Sequence, residues 1–360
     1  MGSTALQKCE SFLLKIFRRI PMSRPQALFR TLGAVALALC MLPAAPALAG
    51  EKLVVYSARI EALVKPMFDA YTKETGVEIQ AVTDKEGALV ERLKAEGANT
   101  PADLLITTDA GNLWQAAQEG VLRPIDSPAL AAAVPANLRD PDQQWFGLTV
   151  RARTLFFNTQ MVKAGELSTY EDLAQPAWRG KLCLRSSKKV YNQSLVAMLI
   201  SEHGEAKAEE IVRGWVANLA TEPFADDTRM LEAVAAGQCA VGIANTYYYG
   251  RLMEKKPDLP LGIFWANQST GGVHINVTGA GLTRHGKQPA AAQKLLEWLA
   301  SPQAQNLFAD VNFESPVNPA TAPSAAVQAW GSFKASPLNV VEAGRLQAKA
   351  VRLMDRAGYR

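Results

Sequence analysis

Histidine and cysteine are scarce in this chain. Three histidines among 360 residues, His203, His274 and His285, are too scattered to read as a metal cluster by spacing. Of four cysteines, only Cys183 and Cys239 lie beyond the first 49 residues, each in a strand-like apolar run; they are either bridged or buried as free thiols. No Gly-x-Gly-x-x-Gly follows a strand, and there is no phosphate-binding loop, His-Glu-x-x-His or nucleophile elbow. No nucleophile–base pair or paired carboxylates stand at useful spacing, which argues against an exported enzyme. Beyond the leader, no run is long and apolar enough to span a membrane.

The leader itself is readable. Arg24 and Arg30 form a basic region behind Met22, Leu32 to Leu42 is apolar, and Ala47-Leu48-Ala49 gives a small-x-small cleavage pattern, so 1–49 reads as an export leader with the signal proper over 22–49. Leu39 before Cys40 speaks against a lipid anchor. Removing 1–49 takes away six basic residues and one acidic residue. The remainder holds 32 basic residues of the original 38 and 33 acidic of 34, so the formal +4 gives no argument for nucleic acid. About 310 residues remain, more than one core usually organises.

What is present is repeated strand–helix punctuation. Lys52 to Tyr56 is an apolar strand, the following helix stops at Gly76, and Leu104-Leu105-Ile106 precedes another helix ending at Gly120. Trp145–Thr149 and Thr154–Asn158 read as extended segments with Arg151 and Arg153 between them. Asp226 to Ala236 reads as a helix with Asp caps, Gly279 and Gly281 suggest close backbone passage, and 343–357 reads as a closing helix. The run Cys239 to Ala244 reads as a buried strand. It delivers Asn245-Thr246-Tyr247-Tyr248-Tyr249 to its C-terminal end, where open α/β sheets place ligands. For any one of these tyrosines alone, packing is the simpler role.

Further stretches match in order along 52–320: Val55-Tyr56-Ser57-Ala58-Arg59, Thr100-Pro101-Ala102-Asp103, Trp145 to Arg153, Val190-Tyr191-Asn192-Gln193-Ser194, Asn245-Thr246-Tyr247-Tyr248, Gly279-Ala280-Gly281 and Glu314-Ser315-Pro316-Val317-Asn318-Pro319. With these the chain resembles the tyrosine-rich group of periplasmic ferric-iron-binding components of bacterial ABC importers. The resemblance implies an α/β, two-lobed periplasmic binding protein fold with two extended hinge crossovers and a ligand cleft between the lobes. One lobe would combine 51–150 with 277–320, the other 151–276 with 321–360.

It also implies Fe(3+) as cargo, held by Tyr191, Tyr247 and Tyr248, with Tyr249 outside the ligand set. A hard trivalent cation suits anionic oxygen, and its field would drive off the phenol protons. Adjacent tyrosines reach one ion only if the strand has ended and a loop turns, since strand neighbours diverge. The chain departs from the family at Ile60 and Glu61, where a histidine is common; Ile60 cannot ligate, and Glu61 either offers an oxygen or is an ordinary first-turn acid. That loss favours a synergistic anion, carbonate/bicarbonate or another, on Arg151 and Arg59 with Ser57 and Ser187 as further donors. Asp109 reads as a cleft residue or a helix cap, His274 as a residue near the cleft, and Arg153 as packed or paired behind it. The implied partners are an ABC permease and its cytoplasmic ATPase, with the protein monomeric in the periplasm. The same fold serving an organic anion is the alternative.

Overall fold

The computed structural model describes residues 52–360, so the leader and Cys40 lie outside the described residues. Strands and helices alternate from the start: β1 (Lys52–Ser57), α1 (Glu61–Thr75), β2 (Glu78–Thr83), α2 (Glu86–Glu96), β3 (Leu104–Thr108) and α3 (Ala110–Gln118). Then come β4 (Phe146–Asn158), β5 (Leu182–Cys183), α4 (Val190–His203), α5 (Glu205–Ala217), α6 (Asp227–Ala235), β6 (Val241–Asn245), α7 (Thr246–Lys255) and β7 (Leu261–Phe264). The chain ends with β8 (Ile275–Leu282), α8 (Pro289–Leu299), α9 (Pro302–Asn312), β9 (Ser315–Pro316), α10 (Glu342–Arg345) and α11 (Gln347–Arg356), with short helical turns between.

Local chemistry sets several boundaries. Gly76 takes φ 77° and donates its N–H to the Thr72 carbonyl, closing α1 in a conformation that costs a β-carbon residue more. The Ser301 hydroxyl accepts the Ala304 N–H, and Pro302 begins α9 where its missing donor is harmless. The expected final helix is instead two pieces separated at Leu346.

The sheet runs β2-β1-β3-β8-β4-β6-β5, with β7 and β9 also on β4. β1 is parallel to β2 and β3, while β8 runs antiparallel to both β3 and β4. The two extended segments expected around Arg151 and Arg153 are one continuous strand, and all of β4 is buried. Up to Ala152 it pairs with β8, placing Arg151 opposite Asn276; from Arg153 it pairs with β6, placing Arg153 opposite Asn245. Gly279 must lack a side chain, because a β-carbon would sit 2.6 Å from the Phe146 carbonyl oxygen.

The buried apolar residues divide along the same strand. One cluster takes Leu53 to Ala152 together with Val273 to Val340; two others take Leu155 to Ala266 and Leu346 to Tyr359. The last part of the chain touches both sides, since α10 packs on α3 and on α4.

Cys183 and Cys239 are joined in a disulfide that closes a separation of 56 residues. A crosslink of that span restricts the unfolded chain, so Cys183→Ser should lower stability by about 2–4 kcal/mol. A urea midpoint equal to that of the oxidised parent would show that the bridge contributes nothing.

Candidate metal centre

The three tyrosines sit where two helices start. Tyr191 is the second residue of α4; Tyr247 and Tyr248 are the second and third of α7. Sequence reasoning asks for a loop after the strand, but β6 ends at Asn245 and the helix begins at Thr246 without one. Helical neighbours turn by about 100° rather than alternating across a sheet, so both rings serve one side. Their centroids lie 4.3 Å apart at an interplanar angle of 36°. Tyr191 and Tyr247 are buried and Tyr248 is half-buried. Neither helix start carries a side-chain cap, and the positive end of each backbone dipole favours negative charge there.

The Tyr247 hydroxyl accepts from Asn245 Nδ2 at 3.4 Å. Burial pushes its phenol well above the ordinary value; the neighbouring Tyr191 and Tyr248 oxygens add to that, while Arg151 opposes it. Tyr249 points elsewhere, against Phe156 and Trp330.

Positive groups surround the rings. The Arg151 guanidinium carbon is 5.5 Å from the Tyr191 ring centre, Lys189 Nζ is 4.7 Å from it, and the Arg251 guanidinium carbon is 5.0 Å from that of Tyr247. Arg151 Nη1 donates to Thr278 Oγ1 at 3.1 Å, while its Nη2 is buried with no hydrogen-bond partner. Arg59 is buried and bonds Glu314 at 2.9 and 3.2 Å. Burial works against the Glu314 anion, yet Arg59, Arg151 and the Thr149 hydroxyl hold its carboxyl below the ordinary range. A cavity of about 220 Å³ is lined by the three tyrosines together with Arg59, Arg151, Lys189, Arg251, Glu86, Glu314 and the exposed Ile60.

Other residues singled out by sequence do not line this cavity. Glu61 is exposed in the first turn of α1, an ordinary place for an acid. The Ser57 hydroxyl accepts the Arg59 N–H at 3.2 Å and so braces the chain beneath the arginine. Ser187 bonds through its backbone to Arg360 and Gln193. Asp109 is the buried cap of α3: it accepts from Gly111 N–H at 2.8 Å, Ser194 Oγ at 2.9 Å and Asn276 Nδ2 at 2.9 Å. Burial raises its carboxyl pKa, with Arg151 acting the other way. His274 lines a separate small cavity with Ser194, Met198 and Ser336. Burial, then Arg153 and Arg151, push its imidazole down to about 3, so it stays neutral.

Arg153 lies behind the site, bonding Asp227 at 3.2 Å, Asn192 at 2.6 Å and Asn245 at 3.2 Å. Asp227 also accepts from Arg185 Nη1 at 2.7 Å, and Arg185 reaches the Tyr248 hydroxyl at 3.3 Å. Sequence reasoning missed Arg185, Lys189, Arg251, Glu86 and the role of Glu314. Only Arg251 had a local signal, four residues beyond Tyr247 on one helix. A second group, Glu171, Glu202 and His203, lies toward the other end of α4, roughly 18 Å from Tyr191 by helical rise. There His203 Nε2 already pairs with Glu171 at 2.7 Å, and Asn267 donates to the same carboxylate.

Residues 66–335 match the family model described as bacterial extracellular solute-binding protein. The chain is similar to Iron uptake protein A1 of Synechocystis sp., 39% identical over 316 residues, covering 86% of this chain and 88% of that one. Iron uptake protein A2 of the same organism is 40% identical over 332 residues, covering 90% and 94%. A Trichodesmium protein solved in complex with iron and citrate ligands is 42% identical with a TM-score of 0.83, covering 86% of this chain and all of that one.

Proposed function

The chain belongs to the bacterial extracellular solute-binding protein family, and from that premise we propose that it captures ferric iron in the periplasm through Tyr191, Tyr247 and Tyr248. The observation that carries the reading is the meeting of three phenols at two helix starts beside a buried Arg151 nitrogen without a partner. The relatives' names, which speak of iron uptake, support it. Three phenolates neutralise the ion's charge but leave an octahedral shell incomplete. A synergistic anion, carbonate/bicarbonate or a carboxylate, completes it on Arg151, with Arg59 adding positive charge from beside Glu314.

In this reading 51–150 with 277–320 forms one lobe and 151–276 with 321–360 the other. The division of the apolar clusters along β4 supports the main cut, with Arg151 and Asn276 at the crossover, although Val273, Ile275 and Val340 pack with the first cluster and only the tail from Leu346 packs with the second. Iron loads on the tyrosine side, the facing lobe closes over it and water leaves. The closed form then docks on an ABC permease driven by a cytoplasmic ATPase. A second reading, an organic anion without iron, draws on the cations Arg59, Arg151, Lys189 and Arg251 along the cavity wall.

An aerobic ferric titration read by visible absorption separates the two. Ferric binding gives a phenolate-to-iron charge-transfer band; an anion site gives none. Arg151→Ala should weaken ferric binding about tenfold or more with bicarbonate present and little without it. Equal affinities with and without bicarbonate in both proteins would remove the anion from the site.

A further inference from the structure

We infer that Arg185 is a positioning residue for Tyr191 and Tyr248, and that the last two residues of the chain hold it in place. The inference rests on the ferric reading of the cleft. Arg151 and Lys189 face Tyr191 and Arg251 faces Tyr247, whereas Arg185 faces a ring from each helix start. Its guanidinium carbon lies 5.7 Å from the Tyr191 ring centre and 6.0 Å from that of Tyr248. A single nitrogen, Nη1, donates both to the Tyr248 hydroxyl and to Asp227. Asp227 is fully buried and anchored in turn by Arg153, so it gives Arg185 a fixed support.

The backbone of the same loop is tied to the end of the chain. The Arg185 carbonyl accepts from the Tyr359 hydroxyl at 2.5 Å and from Asn192 Nδ2 at 2.8 Å. The Ser187 N–H donates to the Arg360 carbonyl at 3.1 Å. Tyr359 is itself buried against the core of α4 and α11. The tail therefore reaches the metal-facing side chains through one short loop. A charged donor on a ligand oxygen orients it and draws electron density from it, as outer-sphere partners do at metal sites. Without that donor, the phenolate gives charge to ferric iron more readily and its charge-transfer band moves to longer wavelength.

The experiment titrates the leaderless full chain with ferric nitrilotriacetate and reads band position and affinity for the parent, Arg185→Met, Arg185→Lys and Tyr359→Phe. Arg185→Met should bind about ten- to a hundredfold more weakly with the band at longer wavelength. Lysine keeps a cationic donor and should stay near the parent, while Tyr359→Phe should shift the band the same way by less. An unmoved band and unchanged affinity in Arg185→Met overturn the inference. So does an equal loss in the methionine and lysine variants with the band unmoved, which makes Arg185 scaffold only. Should Arg185→Met fail to fold, an unmoved band and affinity in Tyr359→Phe overturn it. A parent protein with no band at all defeats the ferric reading first, and this inference with it.

Discussion

Tyr247→Phe should weaken ferric binding at least about a hundredfold, the upper end of what losing even an outer-sphere partner costs a metal site. The sign of its pH dependence follows from the burial of the phenol. The free protein holds that proton more tightly than an exposed tyrosine does, because burial and the neighbouring oxygens of Tyr191 and Tyr248 disfavour the anion. Ferric binding must remove it, so affinity rises with pH and falls in acid, by up to about tenfold per pH unit for each proton released. The phenylalanine variant has one proton fewer to give up. In weakly buffered solution its proton release per iron should drop by one relative to the parent, and the slope of log affinity against pH should flatten by the same amount. Identical proton release in both proteins would mean that the Tyr247 oxygen is not a ligand.

The strand–helix alternation is legible because its signals are local. Gly76 marks a helix stop without reference to anything distant, whereas Gly279 signals a close approach whose partner, Phe146, lies on another strand. The break expected near Arg151 and Arg153 is absent for the opposite reason. Two arginines within three residues look like a polar interruption, yet each is buried in a continuous strand by partners far along the chain: Thr278 for Arg151, Asp227 and Asn192 for Arg153. No pattern within a window of ten residues reveals such pairs.

The site divides in the same way. The tyrosine positions are visible as sequence motifs, but the helix starts that orient them are not: the sequence asks for a loop after Asn245 where α7 begins at once, and Tyr191 comes from the separate start of α4. Their electrostatic surroundings are not visible, because Arg185 and Glu314 arrive from other elements. Glu61 reads in the sequence as either an oxygen donor or an ordinary first-turn acid, and the structure leaves it in solvent in the first turn of α1.

Asp226 and Asp227 show how adjacent, chemically identical residues separate once their surroundings are known. Both read as caps in the sequence. Asp226 is the cap, accepting the Arg229 N–H at 2.9 Å from a half-buried position. Asp227 is fully buried and carries both Arg153 at 3.2 Å and Arg185 at 2.7 Å. Asp226→Ala should therefore cost about 1 kcal/mol, the loss of one cap. Asp227→Ala leaves a buried guanidinium without its counter-charge and should cost about 3–5 kcal/mol. Urea midpoints of the two variants, compared at equal slope, measure the difference directly. Adding Arg153→Met to Asp227→Ala should return part of the loss, because the more deeply buried of the two stranded charges goes with it. Should Asp227→Ala prove no costlier than Asp226→Ala, the buried carboxylate would not be what holds the two arginines, and the support beneath Tyr248 would have to come from the rest of α6.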